Sequence, residues 1–367
     1  MKKIFQLQCL LLIFSTLITV EIKAQPIVSP SIKYHKEFSG IGPKVYILPP
    51  PKSEKEKLQD QYSNKKKEQQ ELIQIMNQMK LSNRLKKIDN GNLPLAIVRS
   101  DKMGGERLLI AAISYYKQVN KVDSAFAWQN HLGVFKLLQG DFSESIKIFE
   151  DVLSHYKQSE NLVNQQALLQ NLAIAEEQSE NYVASLAYYK KLISLAKKAK
   201  NIQNEGLISL SIATIESKLG NYSEAHNLVI KKSFPLLQRF KYYPDVVDAL
   251  NTLGSIKESE EKLIEAKWIY LQAIDVATIH KDEKGLARSL YNLAELKIRV
   301  GDASLAISDY IQAREVAKRN KMNGLLVEIE DGLGDAYLNS GDYSEAAIAL
   351  NSYNILKLEF INSQTLM

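Results

Sequence analysis

Cysteine is nearly absent from this 367-residue sequence, since Cys9 is its only thiol. A single cysteine can form no internal disulfide and cannot supply the paired thiolates of a zinc or redox site. The five histidines are scattered, and none stands at a metal-ligand spacing such as His-Glu-x-x-His. Phosphate-binding loops, dinucleotide-binding glycine patterns and Gly-x-Ser-x-Gly elbows are also missing. The sequence therefore predicts no catalytic residue, no metal ligand, no cofactor and no enzyme.

A strong excess of either charge is missing too. The chain has 47 Lys and Arg against 42 Asp and Glu, a net charge of +5. Residues 1–24 contain three lysines and one glutamate, so their removal would lower the net charge to +3. Proteins that bind nucleic acid usually present a strongly basic face. We therefore expect no nucleic-acid partner.

Long apolar runs are missing apart from one near the N-terminus. This run, Cys9–Val20, follows Lys2 and Lys3 and precedes a plausible cleavage site at Ile22-Lys23-Ala24. It is shorter than the roughly 20 residues that span a bilayer. The pattern is typical of a secretory signal peptide over residues 1–24, with a retained membrane anchor as the alternative. We expect an exported protein, periplasmic or secreted, with no membrane span once the signal is cleaved.

The remaining chain divides by composition. Residues 25–52 hold most of the nine prolines and read as an extended linker, because proline lacks the amide donor that helices and sheets need. Residues 53–121 form a charged helical region with an apolar stripe around Leu72 and Met76, a degenerate hairpin start at residues 91–97 and a helix at residues 106–118. We expect this region to cap the N-terminal end of a regular array over residues 122–360, which a short tail, residues 361–367, follows.

The array repeats every 40 or 41 residues. Its last copy, residues 324–356, reads as two amphipathic helices joined by a turn at Gly341-Asp342-Tyr343, and similar turns recur near residues 301, 261, 220, 180 and 140. Three columns of residues recur with the turns. A small residue lies in each first helix, a second small residue in each second helix, and a large residue four positions later. They are Gly133, Ala173, Ala213, Gly254, Ala294 and Gly334; Ser145, Ser185, Ala225, Ala266, Ala306 and Ala346; and Phe149, Tyr189, Val229, Tyr270, Tyr310 and Leu350.

Each column has a physical reason. Small residues let the two helices of a hairpin approach closely, and the large residue four positions along lies on the same helix face. The turn glycine permits a positive φ, and the Asp or Asn of the turn is expected to cap the next helix. Two departures stand out: the turn at Glu261 lacks glycine, and Pro235 is expected to break its helix near Ser233.

The columns and their spacing resemble the tetratricopeptide repeat family in its roughly 40-residue form. The resemblance implies an all-α fold, a right-handed superhelical solenoid of antiparallel helical hairpins. About six repeats are regular, and one or two degenerate repeats precede them.

The resemblance also implies that the first helix of each hairpin lines a concave groove. At the inward-facing positions of these first helices, Asn and Gln carry both a donor and an acceptor, so they could hold the backbone of an extended peptide. The alternative is an ordinary exposed polar surface. With Glu328 nearby, we expect the C-terminal end of the groove to be acidic. The predicted partner-binding residues are Asn130, His131, Gln170, Asn171, Asn251, Thr252, Tyr291, Asn292, Asp331 and Asp335.

These features predict an exported, non-enzymatic scaffold or adaptor that binds a peptide or protein in the groove. The alternative is a ligand-sensing component of a signalling system whose output domain is on another chain or missing. The sequence indicates neither the partner nor the oligomeric state.

Overall fold

A computed structural model describes residues 51–86, 88 and 102–365. The chain divides after Glu54 into a short N-terminal unit, of which only residues 51–54 are described, and a main unit, Lys55–Met367. The expected signal peptide, almost all of the expected linker and the degenerate hairpin start at residues 91–97 lie outside the described residues.

The described part of the main unit is built from helices. The first half contains α1 (Glu54–Arg84), α2 (Lys102–Gln118), α3 (Val122–Leu138), α4 (Phe142–Gln158), α5 (Leu162–Gln178), α6 (Tyr182–Lys198), α7 (Ile202–Lys218), α8 (Tyr222–Asn227) and α9 (Phe234–Arg239). The second half contains α10 (Tyr243–Ser259), α11 (Leu263–Ile279), α12 (Glu283–Arg299), α13 (Ala303–Arg319), α14 (Asn323–Ser340) and α15 (Tyr343–Thr365). From α2 onward each helix packs mainly against the one before and the one after it. The predicted all-α solenoid of helical hairpins is confirmed.

The hairpin seams carry the predicted small residues. All six members of the second-helix column, from Ser145 to Ala346, are fully buried. A Cβ atom on Gly133 would lie 2.7 Å from the Phe149 ring, and one on Gly254 would lie 2.4 Å from the Tyr270 ring. Both distances are shorter than carbon atoms tolerate, so the aromatic column packs directly on the glycine column.

Every connection between consecutive helices from α2 onward, apart from the one between α8 and α9, contains a residue in the left-handed conformation. The predicted glycines Gly140, Gly220, Gly301 and Gly341 have φ between 79° and 89°. The other eight connections place Asn, Glu or Lys there, at residues 120, 160, 180, 200, 241, 261, 281 and 321. At Gly140 the amide donates to the Leu137 carbonyl and the next amide donates to the Lys136 carbonyl, which satisfies the end of α3.

The cap prediction is confirmed at two of the five Asp and Asn residues that were expected to cap. Asn181 accepts from the Ala184 amide and Asp342 from the Glu345 amide. It is wrong at Asp141, Asn221 and Asp302, whose side chains accept no hydrogen bond from the described first turn that follows. The side-chain amide of Asn221 instead donates to the Glu216 carboxylate at 2.8 Å, because Glu216 lies close by in the last turn of the preceding helix.

Pro235 disrupts its helix where the sequence predicts. The chain leaves α8 at Asn227, follows a wider π-helical turn over Leu228–Ser233 and resumes as α9. Proline has no amide hydrogen to donate, so the regular hydrogen-bond ladder cannot continue through it. The distorted segment remains packed, since the Ser233 hydroxyl donates to the Gly206 carbonyl at 2.9 Å and Leu237 is fully buried.

The long helix α1 lies in a different place from the one expected. Its stripe Leu58, Tyr62, Leu72 and Met76 packs with residues of α14 and α15, among them Tyr353. Leu81 of α1, together with Leu85 and Ile88 just beyond it, joins the core cluster that runs from α3 to α11. The 31 residues of α1 extend about 46 Å, so it connects the last hairpin to the first ones. At the N-terminal end of the array α2 packs against α3, as expected for residues 106–118, whereas α1 extends along the array to its last hairpin.

Two sequence features explain this placement. The residues of α1 that face the array recur in alternating steps of four and three. They therefore lie on one continuous helix face, which contains both apolar and polar residues. The next described helix, α2, has its own packing partner, α3. At the other end, α15 runs to Thr365, five residues beyond the predicted end of the array, and offers Phe360 as additional apolar surface to α1.

Candidate partner-binding groove

The residues that contact α1 lie on the first helices of the hairpins and on α15. α3 contributes the Leu138 carbonyl, which accepts from the Gln78 amide at 3.0 Å. α5 contributes Asn171 and Glu177, and α14 contributes Asp331. We call this surface, from α3 to α15, the groove. The contacts place α1 along the first helices α3, α5 and α14, on the side where the family resemblance leads us to expect a groove.

At its C-terminal end the groove encloses the ammonium group of Lys65. The Lys65 side chain is buried, and its Nζ lies 2.5 Å from Asp331 Oδ1 and 3.3 Å from Asp335 Oδ1. The same Nζ lies 4.6 Å from the centre of the Tyr62 ring and 5.3 Å from that of Tyr353. Two carboxylates and aromatic faces are a favourable environment for a partly desolvated cation. Gln69 adds hydrogen bonds of 2.9 Å to both oxygens of Asp331.

Tyr62 fills a gap in the last hairpin. Earlier repeats mostly place an aromatic ring in the large-residue column, whereas the last one has Leu350. The Tyr62 hydroxyl donates to the Ala346 carbonyl at 2.7 Å, and a Cβ atom on Gly334 would lie 2.4 Å from that hydroxyl. Burial and the nearby charges of Asp335 and Asp331 raise the pKa of Tyr62, so the phenol stays protonated and remains a donor.

Between α1 and the helices α12–α15 lies a cavity of about 310 Å³. Its lining includes Tyr291, Glu295, Glu328 and Asp331 from the array. The Tyr310 hydroxyl, also in the lining, donates to Glu295 Oε1 at 2.5 Å. Desolvation raises the pKa of Glu295 despite this hydrogen bond, and the charges of Asp331 and Glu328 add to the effect. The cavity is therefore an anionic space next to the occupied part of the groove.

At the N-terminal end of the groove, the last residues of α1 and those just after it are held by an ion pair and by backbone hydrogen bonds. Arg84 pairs with Glu177, which also accepts from Lys218 Nζ at 3.0 Å. Burial alone would raise the pKa of Glu177, but the two cations outweigh it and hold that pKa below its usual value. Asn171 accepts from the Lys86 amide at 2.8 Å and donates to the Lys86 carbonyl at 3.0 Å. Gln170 donates to the Arg84 carbonyl at 3.2 Å.

Three of the predicted binding residues contact α1 directly, namely Gln170, Asp331 and Asp335, and Asn171 bonds to Lys86, two residues beyond its end. The other six mostly contact their own array. Asn130 accepts from Asn171 at 3.4 Å, and His131 lies buried beside the Trp128 ring. Asn251 donates to Ser289 and accepts from Asn292 at 3.0 Å, Thr252 donates within its own helix to the Asp248 carbonyl, and the Tyr291 ring lies 6.1 Å from that of Tyr310.

The pairs Asn130–Asn171 and Asn251–Asn292 each join neighbouring repeats, 41 residues apart. The asparagine columns thus connect adjacent inner helices as well as facing the groove. Sequence reasoning missed Glu177, Glu295 and Tyr353, together with the occupant α1. The available signal was the polar residues Lys65 and Gln69 within an otherwise apolar helical stripe.

Residues 124–198, which include α4, α5, α6 and nearly all of α3, match the family model of the tetratricopeptide repeat. Over these residues the chain carries tetratricopeptide repeats. This agrees with the seam columns and with the packing of its hairpins. None of the curated proteins matches the sequence significantly.

Several solved structures are similar to this tetratricopeptide array at low identity. BtubC from P. vanneervenii is 14% identical, with 61% of this chain and 93% of that chain covered and a TM-score of 0.48. A Rap protein in complex with competence and sporulation factor is 12% identical, with 84% and 99% covered and a TM-score of 0.46. A tetratricopeptide repeat protein from Parabacteroides merdae is 15% identical, with 69% and 93% covered and a TM-score of 0.41.

Among the residues that the structure describes, no helix is long and apolar enough to cross a membrane. Within the same residues, no group of three or more His, Cys, Asp or Glu side chains is placed to hold a metal ion.

Proposed function

We propose that this tetratricopeptide array is a non-enzymatic scaffold that binds a protein or peptide segment along its groove. One observation carries the proposal: the groove already holds a 31-residue helix of the same chain, over a length that reaches from α3 to α15. A surface that holds one segment through apolar contacts, ion pairs and backbone hydrogen bonds has the chemistry to hold another.

The groove residues hold this segment by two kinds of contact, to its backbone and to its charged side chains. Asn171 uses both its donor and its acceptor on the backbone of Lys86, a contact that any residue type can make. Asp331, Asp335 and Glu177 bind side-chain cations and so select for sequence. The predicted role of asparagine in holding a peptide backbone thus has a counterpart within the chain, while its role toward a separate partner is the proposal.

A site-specific crosslinking experiment tests this function. A photo-reactive amino acid is placed at Tyr291, in the groove, and in a matched variant at Trp268, which is exposed on α11. In cells that make the protein, we expect the variant at residue 291 to crosslink to a second protein, and excess peptide of residues 54–88 to suppress the product. Equal yields from both positions would contradict binding in the groove.

We further propose that the protein acts outside the cytoplasm. The basic start at Lys2 and Lys3, the apolar run Cys9–Val20 and the small residue Ala24 support export. N-terminal sequencing of the protein purified from the periplasm or the medium should begin at Gln25. A protein that remains in the cytoplasm with residues 1–24 intact would refute this proposal.

A further inference from the structure

The described ion pairs between α1 and the array have the same polarity. In the described contacts, α1 supplies the cations Lys65, Lys66, Lys80 and Arg84, and the array supplies the carboxylates. The groove therefore carries its anionic groups at both ends, on Glu177 of α5 and on Glu328, Asp331 and Asp335 of α14. A helix is complementary to this surface when it carries lysine or arginine on its apolar face.

We infer that the partner of the groove is a lysine- or arginine-bearing amphipathic helix of another protein, and that α1 is a tethered competitor for the same site. This inference rests on the proposed function, because it identifies the class of partner that the scaffold binds. The partner replaces α1 by presenting the same pattern, with apolar residues in steps of three and four and cations opposite the carboxylates of α5 and α14.

The fit of α1 is incomplete at one place. The cavity of about 310 Å³ lies where Ile73, Asn77 and Lys80 of α1 face the array residues Glu295 and Glu328. Lys80 pairs with Glu328, whereas Asn77 offers no charge to the anionic lining. A partner helix that has a lysine or arginine at the position of Asn77 would fill this space with a longer side chain and would gain an ion pair. The groove thus has room for a better ligand than α1.

The array also has its own packing without α1. Consecutive helices from α2 to α15 pack against one another, and solenoids are stabilised mainly by such neighbour contacts. The core cluster of α12–α14, which includes Tyr310 and Leu333, is formed without a buried residue of α1. Displacement of α1 therefore exposes the groove and leaves the seams between the hairpins in place.

The first test measures competition in the full chain. A fluorescent synthetic peptide of residues 54–88 is titrated into the wild type, into Lys65→Glu and into the matched variant Lys67→Glu, which changes an exposed lysine two residues along α1. Because a tethered segment acts at an effective concentration near millimolar, weakening it should strengthen peptide binding by about tenfold or more. Lys65→Glu should therefore bind the peptide more tightly than the other two. Equal affinities of Lys65→Glu and Lys67→Glu would overturn the inference.

Folding is checked by circular dichroism, and Lys80→Glu is the second opening variant if Lys65→Glu does not fold. Lys80 is suited to this because its side chain is mostly exposed apart from the pair with Glu328. Loss of ion pairing there should weaken α1 without a buried defect. If Lys80→Glu folds and binds the peptide no better than Lys67→Glu, the competitor role is refuted.

The second test measures the cation preference of the cavity. Peptides of residues 54–88 with Asn77→Arg or Asn77→Glu are compared on the opened chain. We expect the arginine peptide to bind about tenfold more tightly than the glutamate peptide, because opposite charges at contact distance favour binding and like charges oppose it. Equal binding, or the reverse order, would overturn the proposed class of partner.

The occupant could instead be α1 of a second copy, and mass measurement in solution decides this. A monomeric wild type at micromolar concentration supports a separate partner protein, whereas a dimer that Lys65→Glu abolishes would assign the groove to a second copy. The two proposals fail differently. Absence of crosslinks at residue 291 with intact peptide binding refutes the scaffold function, and crosslinks that the peptide does not suppress refute the α1 competition alone.

Discussion

At the scale of single residues, the seam between two helices depends on side chains that are small. The sequence predicts these positions because each column occurs six times, and the structure buries every member of the Ser145 to Ala346 column completely. At Gly334 the contact could not be predicted from the repetition. The residue against it is Tyr62, which lies 272 positions earlier and belongs to no repeat. A column indicates that space is needed but not which segment fills it.

Ala306→Leu tests the register of the seam. Ala306 is fully buried between α12 and α13, so a larger side chain should overpack the seam and lower the free energy of unfolding by about 1–3 kcal/mol. Thermal unfolding followed by circular dichroism measures the loss. The control is Leu305→Ala at the adjacent exposed position, which should change stability by less than about 0.5 kcal/mol. An unchanged melting temperature in Ala306→Leu would contradict the assigned register.

Gly334→Ala separates the contact with α1 from the packing of the array. In a helix interior this change usually stabilises by about 1 kcal/mol. Here the new methyl group would lie 2.4 Å from the Tyr62 hydroxyl, so we expect α1 to move and its amides to exchange faster with deuterium. Adding Tyr62→Phe removes the clashing atom and should restore protection in part. Unchanged exchange in residues 54–84 of the single variant would argue against the placement of Tyr62.

His131 should make stability depend on pH. Burial lowers the pKa of His131 below that of an unfolded chain, so the unfolded state binds more protons as the pH falls. The stability that neutral His131 contributes is present above pH 6.5 and declines as the pH falls through its folded pKa. We expect wild type to lose more free energy of unfolding between pH 7.5 and pH 5.5 than His131→Gln does, as measured by urea titration. Parallel losses would show that other groups determine the acid sensitivity.

At the scale of helices and turns, nearly all connections in the array have the same backbone conformation. A left-handed residue ends each helix from α2 to α14 apart from the distorted segment of α8 and α9, where it follows α9 at Lys241. The sequence predicts the four connections that contain glycine, because glycine is the usual residue with positive φ. The other eight carry Asn once and otherwise Glu or Lys, and Glu and Lys give no local sign of this conformation. Only their spacing of about 20 residues relates them to the glycine turns.

Lys281→Gly should therefore stabilise the protein. Lys281 has φ of 56°, a conformation that costs a residue with a side chain roughly 1–2 kcal/mol and costs glycine almost nothing. Part of this gain is offset by the greater freedom of glycine in the unfolded chain, so we expect a net increase of about 0.5–1 kcal/mol. Gly301→Ala should have the opposite sign. The control Lys267→Gly, at an exposed position within α11, should destabilise by about 1 kcal/mol.

At the scale of the whole molecule, α1 joins parts of the chain that a solenoid otherwise keeps apart. Sequence analysis could recognise the apolar stripe of α1 and the acidic C-terminal end of the groove, represented by Asp331 and Asp335. It could not pair them, because the repeat pattern describes neighbours about 40 residues apart whereas Tyr62 and Ala346 are 284 apart. A repeat array unfolds as a series of neighbouring units unless something couples distant repeats. The helix α1 provides that coupling.

Leu72→Ala should weaken this coupling. Leu72 is buried against the C-terminal hairpin, and loss of a buried leucine costs about 2–5 kcal/mol. The cost falls on the docking of α1, so hydrogen exchange should accelerate in α1 and in the inner residues of α14 and α15. Exchange in α11, which has no residue in the core cluster that contains Leu72, should change little. The neighbouring Ile73 is about half exposed, and Ile73→Ala should leave both regions protected. Equal acceleration along the whole array after Leu72→Ala would mean that α1 is part of a single cooperative core. Acceleration confined to α1, α14 and α15 would show that the repeats persist when the helix in their groove is loosened.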